Sequence, residues 1–214
     1  MTQELGKIEK PSVEGFKAAR KLFFVPLLFT PKQLEGELFE KVFKYWDQVE
    51  AQLTSLELKL GIVKRVYHEL VPVGGEEGGK IIEELNSTSY GIVKARLDKG
   101  AQLEPLEDAD LLTESMDWTR CLAVGLQNAK VFDKVYEAYL QSQKKRNEHI
   151  AKMIDETLKA SEVGILLMRE GHQVQFPADI EVFYVSPPGL EEIKRWLRTR
   201  EVEAEKEAGE GPEK

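Results

Sequence analysis

The chain is poor in cysteine and histidine. Among its 214 residues there are one cysteine, Cys121, and three histidines. A single cysteine excludes an internal disulfide and fits a reducing compartment such as the cytosol. Cys121 lies in a segment with a helical pattern, where we expect a buried and unreactive thiol.

The sequence also lacks the marks of nucleic-acid-binding and membrane proteins. Its formal net charge is −8 and its pI is about 5.2, so no basic surface for nucleic acid is expected. No window holds the roughly 18 consecutive apolar residues of a bilayer span. The polar start "MTQELGKIEK" is unlike a signal peptide. We therefore expect a cytoplasmic protein with neither nucleic acid nor membrane as a partner.

Short apolar runs alternate with long amphipathic segments along the chain. Strands are predicted at 21–29, 62–73, 162–168 and 179–185, and residues 101–107 predict a short third strand or a turn. Strands that alternate with helices predict an α/β fold. We expect a mostly parallel sheet of about four to five strands flanked by long helices.

The longest helices have clear sequence boundaries. Thr30 and Pro31 form a good helix start, and an apolar face recurs from there to residue 60. Further helices are predicted over parts of 80–100, 108–127, 129–160 and 190–198. The resulting domain plan is an N-terminal arm at 1–20, a single α/β domain at 21–200 and an acidic disordered tail at 201–214.

A glycine-rich stretch, "GGEEGGK" at 74–80, has the spacing of a phosphate-binding loop. Ile81 stands where such a loop needs a hydroxyl for magnesium, and Glu76 and Glu77 would repel phosphate. We expect a flexible loop that covers the site, with nucleotide binding as the other interpretation.

Polar side chains follow the predicted strands. His68 and Glu69 come at the second strand, Glu107 after the third, and Arg169 and His172 after the fourth. In a parallel sheet these strand ends meet at one edge, where ligands usually bind. Gly171 allows a tight turn before His172. The alternative is that polar residues merely mark where strands exit into solvent.

Imidazole and carboxylate groups suit a divalent metal. Manganese, cobalt or zinc held by His68, Glu69 and His172 is the predicted metal site, with a carboxylate beside the bound water as general base. Arg146 follows a basic run in the predicted long helix. Its guanidinium is either a bidentate partner for a carboxylate in the cleft or part of a solvated face.

The order of these features resembles the TraB / ChaN / erythromycin-esterase-like group. The resemblance rests on "VYHE" with Glu69, "GAQLEPLED" with Glu104 and Glu107, "KKRNEHIAKMID" with Arg146, and "GILLMREGH" with His172. It implies an α/β protein of a group that includes proposed metal-dependent hydrolases and ligand-binding proteins. Glu69, Glu107, His172 and Arg146 would be its catalytic residues. The first strand lacks the histidine motif of that group.

Two functions therefore stay open. The favoured one is a non-enzymatic ligand-binding or interaction protein with a cleft at the strand ends, which takes a small molecule or a peptide. The alternative is a metal-assisted hydrolase that uses Glu69, Glu107 and His172. Apolar residues on the long helices, including Phe39, Phe43 and Trp46, predict a homodimer through these helices.

Overall fold

The computed structural model describes residues 18–29 and 35–209. In chain order the elements are β1 (Arg20–Pro26), α1 (Glu37–Leu60), β2 (Val63–His68), α2 (Gly75–Leu85), α3 (Ser87–Leu97), β3 (Gln102–Leu103), α4 (Ala109–Ala123), α5 (Ala129–Thr157), β4 (Val163–Met168), β5 (Ile180–Tyr184) and α6 (Pro188–Gly209). The five strands form one sheet in the order β3-β2-β4-β1-β5, and every pair is parallel. The predicted α/β fold is confirmed.

Both faces of the central strand β4 are covered, and its sequence reflects this. All six residues of β4 are buried, which explains why this strand is a continuous apolar run without polar alternation. Successive side chains point to opposite faces. Ile165 and Leu167 join one apolar cluster, while Leu166 and Met168 join the other.

The two faces carry different helices. Residues of α1, α2, α3 and α6 share the cluster of Ile165, whereas α5 contributes Ile150 and Ile154 to the cluster of Leu166. The helix α4 lies against α5. The sheet is thus the middle layer of three, as is usual for parallel sheets with long crossover connections.

The path of the chain opens a crevice between β2 and β4. From β2 the chain continues through α2 and α3 to β3, at one side of the sheet. From β4 it continues to β5, on the opposite side, through a connection at 169–179 that contains no helix. Ligands of parallel α/β sheets bind where neighbouring connections diverge in this way. The strand ends predicted to hold a site therefore flank such a crevice.

Element boundaries differ from the sequence expectation at several points. The helix α1 begins at Glu37 after Gly36, whose φ is 71°, and the predicted start at Thr30 and Pro31 lies outside the described residues. Pro26 is the last residue of β1, which pairs on both sides. At this strand end the missing N–H of the proline affects only the last pair of the ladder with β4.

The glycine-rich stretch is not a loop over the site. Residues from Gly75 onward form the first turns of α2, and Gly78 and Gly79 are buried. A Cβ on Gly78 would lie 2.3 Å from the Val73 carbonyl oxygen, so this glycine permits close packing of helix and chain. Glu76 and Glu77 occupy the first turn of α2, where they oppose phosphate binding.

Three further expectations concern exposed parts of the chain. Cys121 is exposed, so the prediction of a buried thiol is wrong. Most of α4 faces solvent, and Ser115 is its one buried residue. The helix α6 ends at Gly209, inside the segment predicted as an acidic tail. On α1, Trp46 is buried, whereas Phe39 and Phe43 are exposed and stacked at 6.4 Å between ring centroids. The homodimer stays a prediction.

Candidate functional site

Glu69 and Arg169 meet at the carboxyl edge of the sheet, where the parallel strands end. Glu69 follows β2 and Arg169 follows β4, and these strands are neighbours. The Glu69 carboxylate accepts hydrogen bonds from Arg169 Nη2 at 2.8 Å, from its Nε at 3.0 Å and from its backbone N–H at 2.9 Å. The side chain of Glu69 is 2% exposed and that of Arg169 is 56% exposed. One buried acid therefore fixes an arginine that still reaches solvent.

Glu107 and Arg146 form a second pair beside the first. Glu107 lies in the segment after β3, and Arg146 lies on α5. Arg146 donates through Nε to Glu107 Oε2 at 2.9 Å and through Nη2 to Oε1, and the same Nη2 lies 3.2 Å from Glu69 Oε1. Such a bidentate pair is stronger and more directional than a single bond. Glu69, Glu107, Arg146 and Arg169 are called the ion network below.

The turn after β2 is shaped to serve this network. Leu70 has a φ of 70°, which is unusual for a residue with a side chain. Its backbone N–H donates to Glu107 Oε1 at 3.1 Å. The strained turn thus directs an N–H group at the carboxylate that binds Arg146, and such strain often accompanies function.

Electrostatics explain why four charges can lie here. Burial alone would raise the pKa of the Glu69 carboxyl, but the hydrogen bonds from Arg169 and the charges of both arginines hold it below its ordinary value. Burial would lower the pKa of Arg146, and the hydrogen bond and charge of Glu107 raise it instead. Glu69 is therefore a weak base whose oxygens already have donors.

His172 lines the same cleft, with its ring half-buried. Its Nδ1 accepts a hydrogen bond from the Val174 N–H at 3.3 Å. In a neutral imidazole this leaves the proton on Nε2, which makes Nε2–H a donor. Burial lowers the pKa of His172, although the charge of Glu69 opposes this. His172 is thus a neutral donor near pH 7.

His68 is placed away from the cleft. Its Nδ1 lies 2.7 Å from the Glu69 carbonyl oxygen and its Nε2 lies 3.1 Å from Ser89 Oγ on α3. The side chain is fully buried, and burial lowers its pKa to about 4. His68 and Glu69 are adjacent in sequence, but they serve opposite layers of the protein.

These contacts leave the residues of the predicted metal site without the geometry of a ligand set. Among residues 18–29 and 35–209, no group of three or more histidine, cysteine, aspartate or glutamate side chains is placed to hold a metal ion. The oxygens of Glu69 already accept from arginine, His172 offers a proton at Nε2 instead of a lone pair, and His68 is engaged by Ser89. The residues present do not fit manganese, cobalt or zinc.

A cleft of about 690 Å³ lies above the ion network. Its floor includes Arg169 and His172, and its wall is formed by α4 and α5. The helix α5 has 29 residues and β4 has 6, which corresponds to about 44 Å against about 20 Å. The helix therefore continues well past the carboxyl edge, and its buried residues all lie from Ser142 onward.

The part of the helical hairpin that overhangs the sheet, α4 with residues 129–141 of α5, is called the arm. It brings Tyr136 and Tyr139 to the cleft, with their ring centroids 6.3 Å apart. These tyrosines were missed by sequence reasoning. Their spacing continues the apolar face of α5. The sequence signal that could have indicated them is the length of this helix, which exceeds the length of the neighbouring strand.

Three other acidic residues near the strand ends have structural partners. Glu104 pairs with Arg65, Glu170 pairs with Lys194, and Asp108 caps the first turn of α4. Of the predicted catalytic residues, Glu69, Glu107 and Arg146 lie in one network, and His172 lies on the floor of the same cleft.

Comparisons with known proteins give no relative. A scan against protein-family models and searches of curated proteins and of solved structures found no match. The likeness to the TraB / ChaN / erythromycin-esterase-like group stays a prediction. None of the described helices combines the length and apolar character that a membrane crossing requires.

Proposed function

We propose that the protein is a non-enzymatic binding protein of the cytoplasm, whose cleft takes a small organic molecule through a carboxylate group. The ligand's acid oxygens accept hydrogen bonds from Arg169 and His172. Its remaining atoms lie against the side chains that surround these two donors. A volume of about 690 Å³ suits a ligand of this size.

The observation that carries this proposal is the state of Arg169. Its Nε and Nη2 are engaged by Glu69, whereas none of the described residues accepts a hydrogen bond from its Nη1. The guanidinium carbon also lies 5.5 Å from the centroid of the Phe29 ring. An arginine fixed on one side and open on the other is pre-organised for an incoming oxygen, which lowers the entropy that binding loses.

His172 supports the same chemistry. Its Nε2–H is a donor because Val174 N–H occupies Nδ1. Two donors in the lining of one cleft, one of them cationic, favour an acceptor-only group such as a carboxylate. The ion network holds two acids and two arginines, so the charges of its own members balance and the cleft does not repel an anion.

The state of the two buried acids, Glu69 and Glu107, favours binding over hydrolysis. Glu69 and Glu107 both accept hydrogen bonds from arginine, and the pKa of Glu69 lies below its ordinary value. A carboxylate that acts as general base near pH 7 needs a raised pKa. The cleft thus offers donors and apolar surface, which are features of recognition.

An NMR titration tests the proposal. Benzoate is added to the ¹⁵N-labelled protein, with benzyl alcohol as the matched compound that lacks the acid. We expect benzoate alone to shift the amide signals of Arg169, Gly171 and His172. The Arg169→Met variant should lose this response.

Arg120 provides the control, because it lines the same cleft but pairs with Asp117. Arg120→Met should keep the benzoate response. Equal responses to benzoate and benzyl alcohol, a response that survives Arg169→Met, or no response to benzoate at 10–20 mM, roughly the range of weak fragment binding, would each overturn the proposal.

A further inference from the structure

A second cavity adjoins the cleft on the far side of the turn after β4. It has a volume of about 600 Å³ and lies along β5. Glu170, Gly171 and His172 line both cavities. This second cavity is called the β5 groove.

The β5 groove exists because one crossover lacks a helix. The connection from β4 to β5 spans only residues 169–179, so no helix covers this corner of the sheet face. Loop residues Val174 and Phe176 are packed over the corner instead. A parallel sheet normally has both faces covered, and the partial cover leaves a groove.

One wall of the groove is apolar and aromatic, and the opposite side carries polar residues that include Glu170 and Gln175. Ile180, Val182 and Tyr184 occupy alternate positions of β5 and line it together, as the two-residue period of a strand requires. Phe24 forms the floor, with its ring centroid 5.1 Å from that of Tyr184. Tyr184 is 66% exposed, so the rim is open to a ligand.

His172 joins the two cavities. Its ring centroid lies 4.8 Å from that of Phe24 and 5.8 Å from that of Phe176. The imidazole thus packs among the aromatic rings of the groove, while the same residue lines the cleft beside Arg169. A ligand that reaches both cavities lies along the turn of Glu170, Gly171 and His172, which lines both.

We infer that the carboxylate of the proposed ligand is attached to an unbranched apolar chain, and that this chain lies in the β5 groove. This inference rests on the proposed function, because the acid group must first be held by Arg169 and His172. It adds the chemical class of the ligand, a medium-chain carboxylate. Polar donors at one end and an aromatic wall at the other match the two ends of such a molecule.

The experiment measures affinity as a function of chain length. Straight-chain carboxylates from propanoate to decanoate are titrated into the full chain by calorimetry. Each buried methylene should strengthen binding about three- to fourfold. The gain should level off once the chain fills the groove.

Two tyrosines separate the groove from the rest of the cleft. Tyr184 lines the β5 groove and not the cleft, and Tyr136 lines the cleft and not the β5 groove. Both are exposed, so replacing either should leave the fold intact. Tyr184→Ser should weaken the binding of decanoate about tenfold and leave the affinity for propanoate unchanged. Tyr136→Ser should leave the dependence on chain length unchanged.

The outcomes separate the inference from the proposed function. If propanoate and decanoate bind equally, the inference is wrong and the proposed function stands. If Tyr136→Ser removes the dependence on chain length and Tyr184→Ser does not, the chain lies on the arm, and the inference is again wrong. If no carboxylate binds, both proposals fail.

Discussion

Arg146 and Arg169 share one oxygen of Glu69. Arg146 Nη2 lies 3.2 Å from Glu69 Oε1, and Arg169 Nη2 lies 2.8 Å from the same atom. One arginine comes from a helix and the other follows a strand, so this carboxylate ties two layers of the protein together.

Replacing Glu69 with glutamine should destabilise the protein by about 3 kcal/mol, because it leaves buried Arg146 with an incomplete set of partners. Urea unfolding measures the change. Glu170→Gln is the control, since Glu170 pairs with Lys194 at the surface and such pairs contribute about 1 kcal/mol or less. Equal losses in the two variants would show that the ion network contributes no more than a surface pair.

Arg146 and Glu107 should show strong coupling. Arg146→Met and Glu107→Gln each break a buried bidentate pair and should each destabilise by about 3–5 kcal/mol. The double variant leaves no unpaired charge on this pair, so its loss should fall short of the sum by at least about 1 kcal/mol. Free energies of unfolding for the four proteins test this. Additive losses would mean that the two side chains do not act as a pair.

Stability should fall as the pH is lowered, first through His68 and then through Glu69. His68 has a pKa of about 4 in the folded protein against 6.5 in the unfolded chain. The unfolded chain therefore takes up the proton first, and up to about 3 kcal/mol is lost between pH 6.5 and 4. The pKa of Glu69 is lowered from 4.5, so its stabilisation is present above pH 4.5 and is lost below it.

Unfolding measured at a series of pH values separates the two groups. His68→Gln keeps a donor or acceptor toward Ser89 and should flatten the range between pH 6.5 and 4. His172→Asn is the control, because burial also lowers the pKa of His172. A slope above pH 4.5 that is unchanged in His68→Gln would rule out His68 as its source.

Two glycines in neighbouring helices should respond in opposite directions to alanine. A Cβ on Gly78 would meet the Val73 carbonyl oxygen at 2.3 Å, whereas a Cβ on Gly91 would meet nothing within 4 Å. Gly78→Ala should destabilise by about 1–3 kcal/mol through overpacking. Gly91→Ala should stabilise by about 0.5–1 kcal/mol through helix propensity. Thermal unfolding distinguishes them, and a stabilised Gly78→Ala would contradict the close packing of α2.

The sequence predicts the fold well because its signals are local. The buried run of β4 and the long period of α5 are each visible within one segment. The glycine-rich stretch was misread because its role depends on a distant contact. A Cβ on Gly74 would lie 2.6 Å from the Leu103 carbonyl oxygen. The sequence of residues 74–80 alone does not reveal this close approach.

Site residues were harder to assign because one position along a strand changes the face. His68 and Glu69 are neighbours in sequence, yet His68 contacts Ser89 on α3 while Glu69 contacts Arg146 on α5. Successive residues of a strand point to opposite faces, which explains the difference. Which of the two faces each residue takes is set by the tertiary fold. Arg169 follows β4 as expected, and its pairing with Glu69 depends on the strand order.

The outer part of α5 has the geometry of a cantilever, a beam held at one end, because the buried residues of the helix all lie from Ser142 onward. Its anchored root is the region around Arg146, where the helix leaves the sheet, and Glu107 and Glu69 hold that root through Arg146. A rotation of about 5° at the root would move the far end of the helix by about 2 Å. The ion network beneath the cleft therefore helps to fix the direction of α5, and with it the positions of Tyr136 and Tyr139.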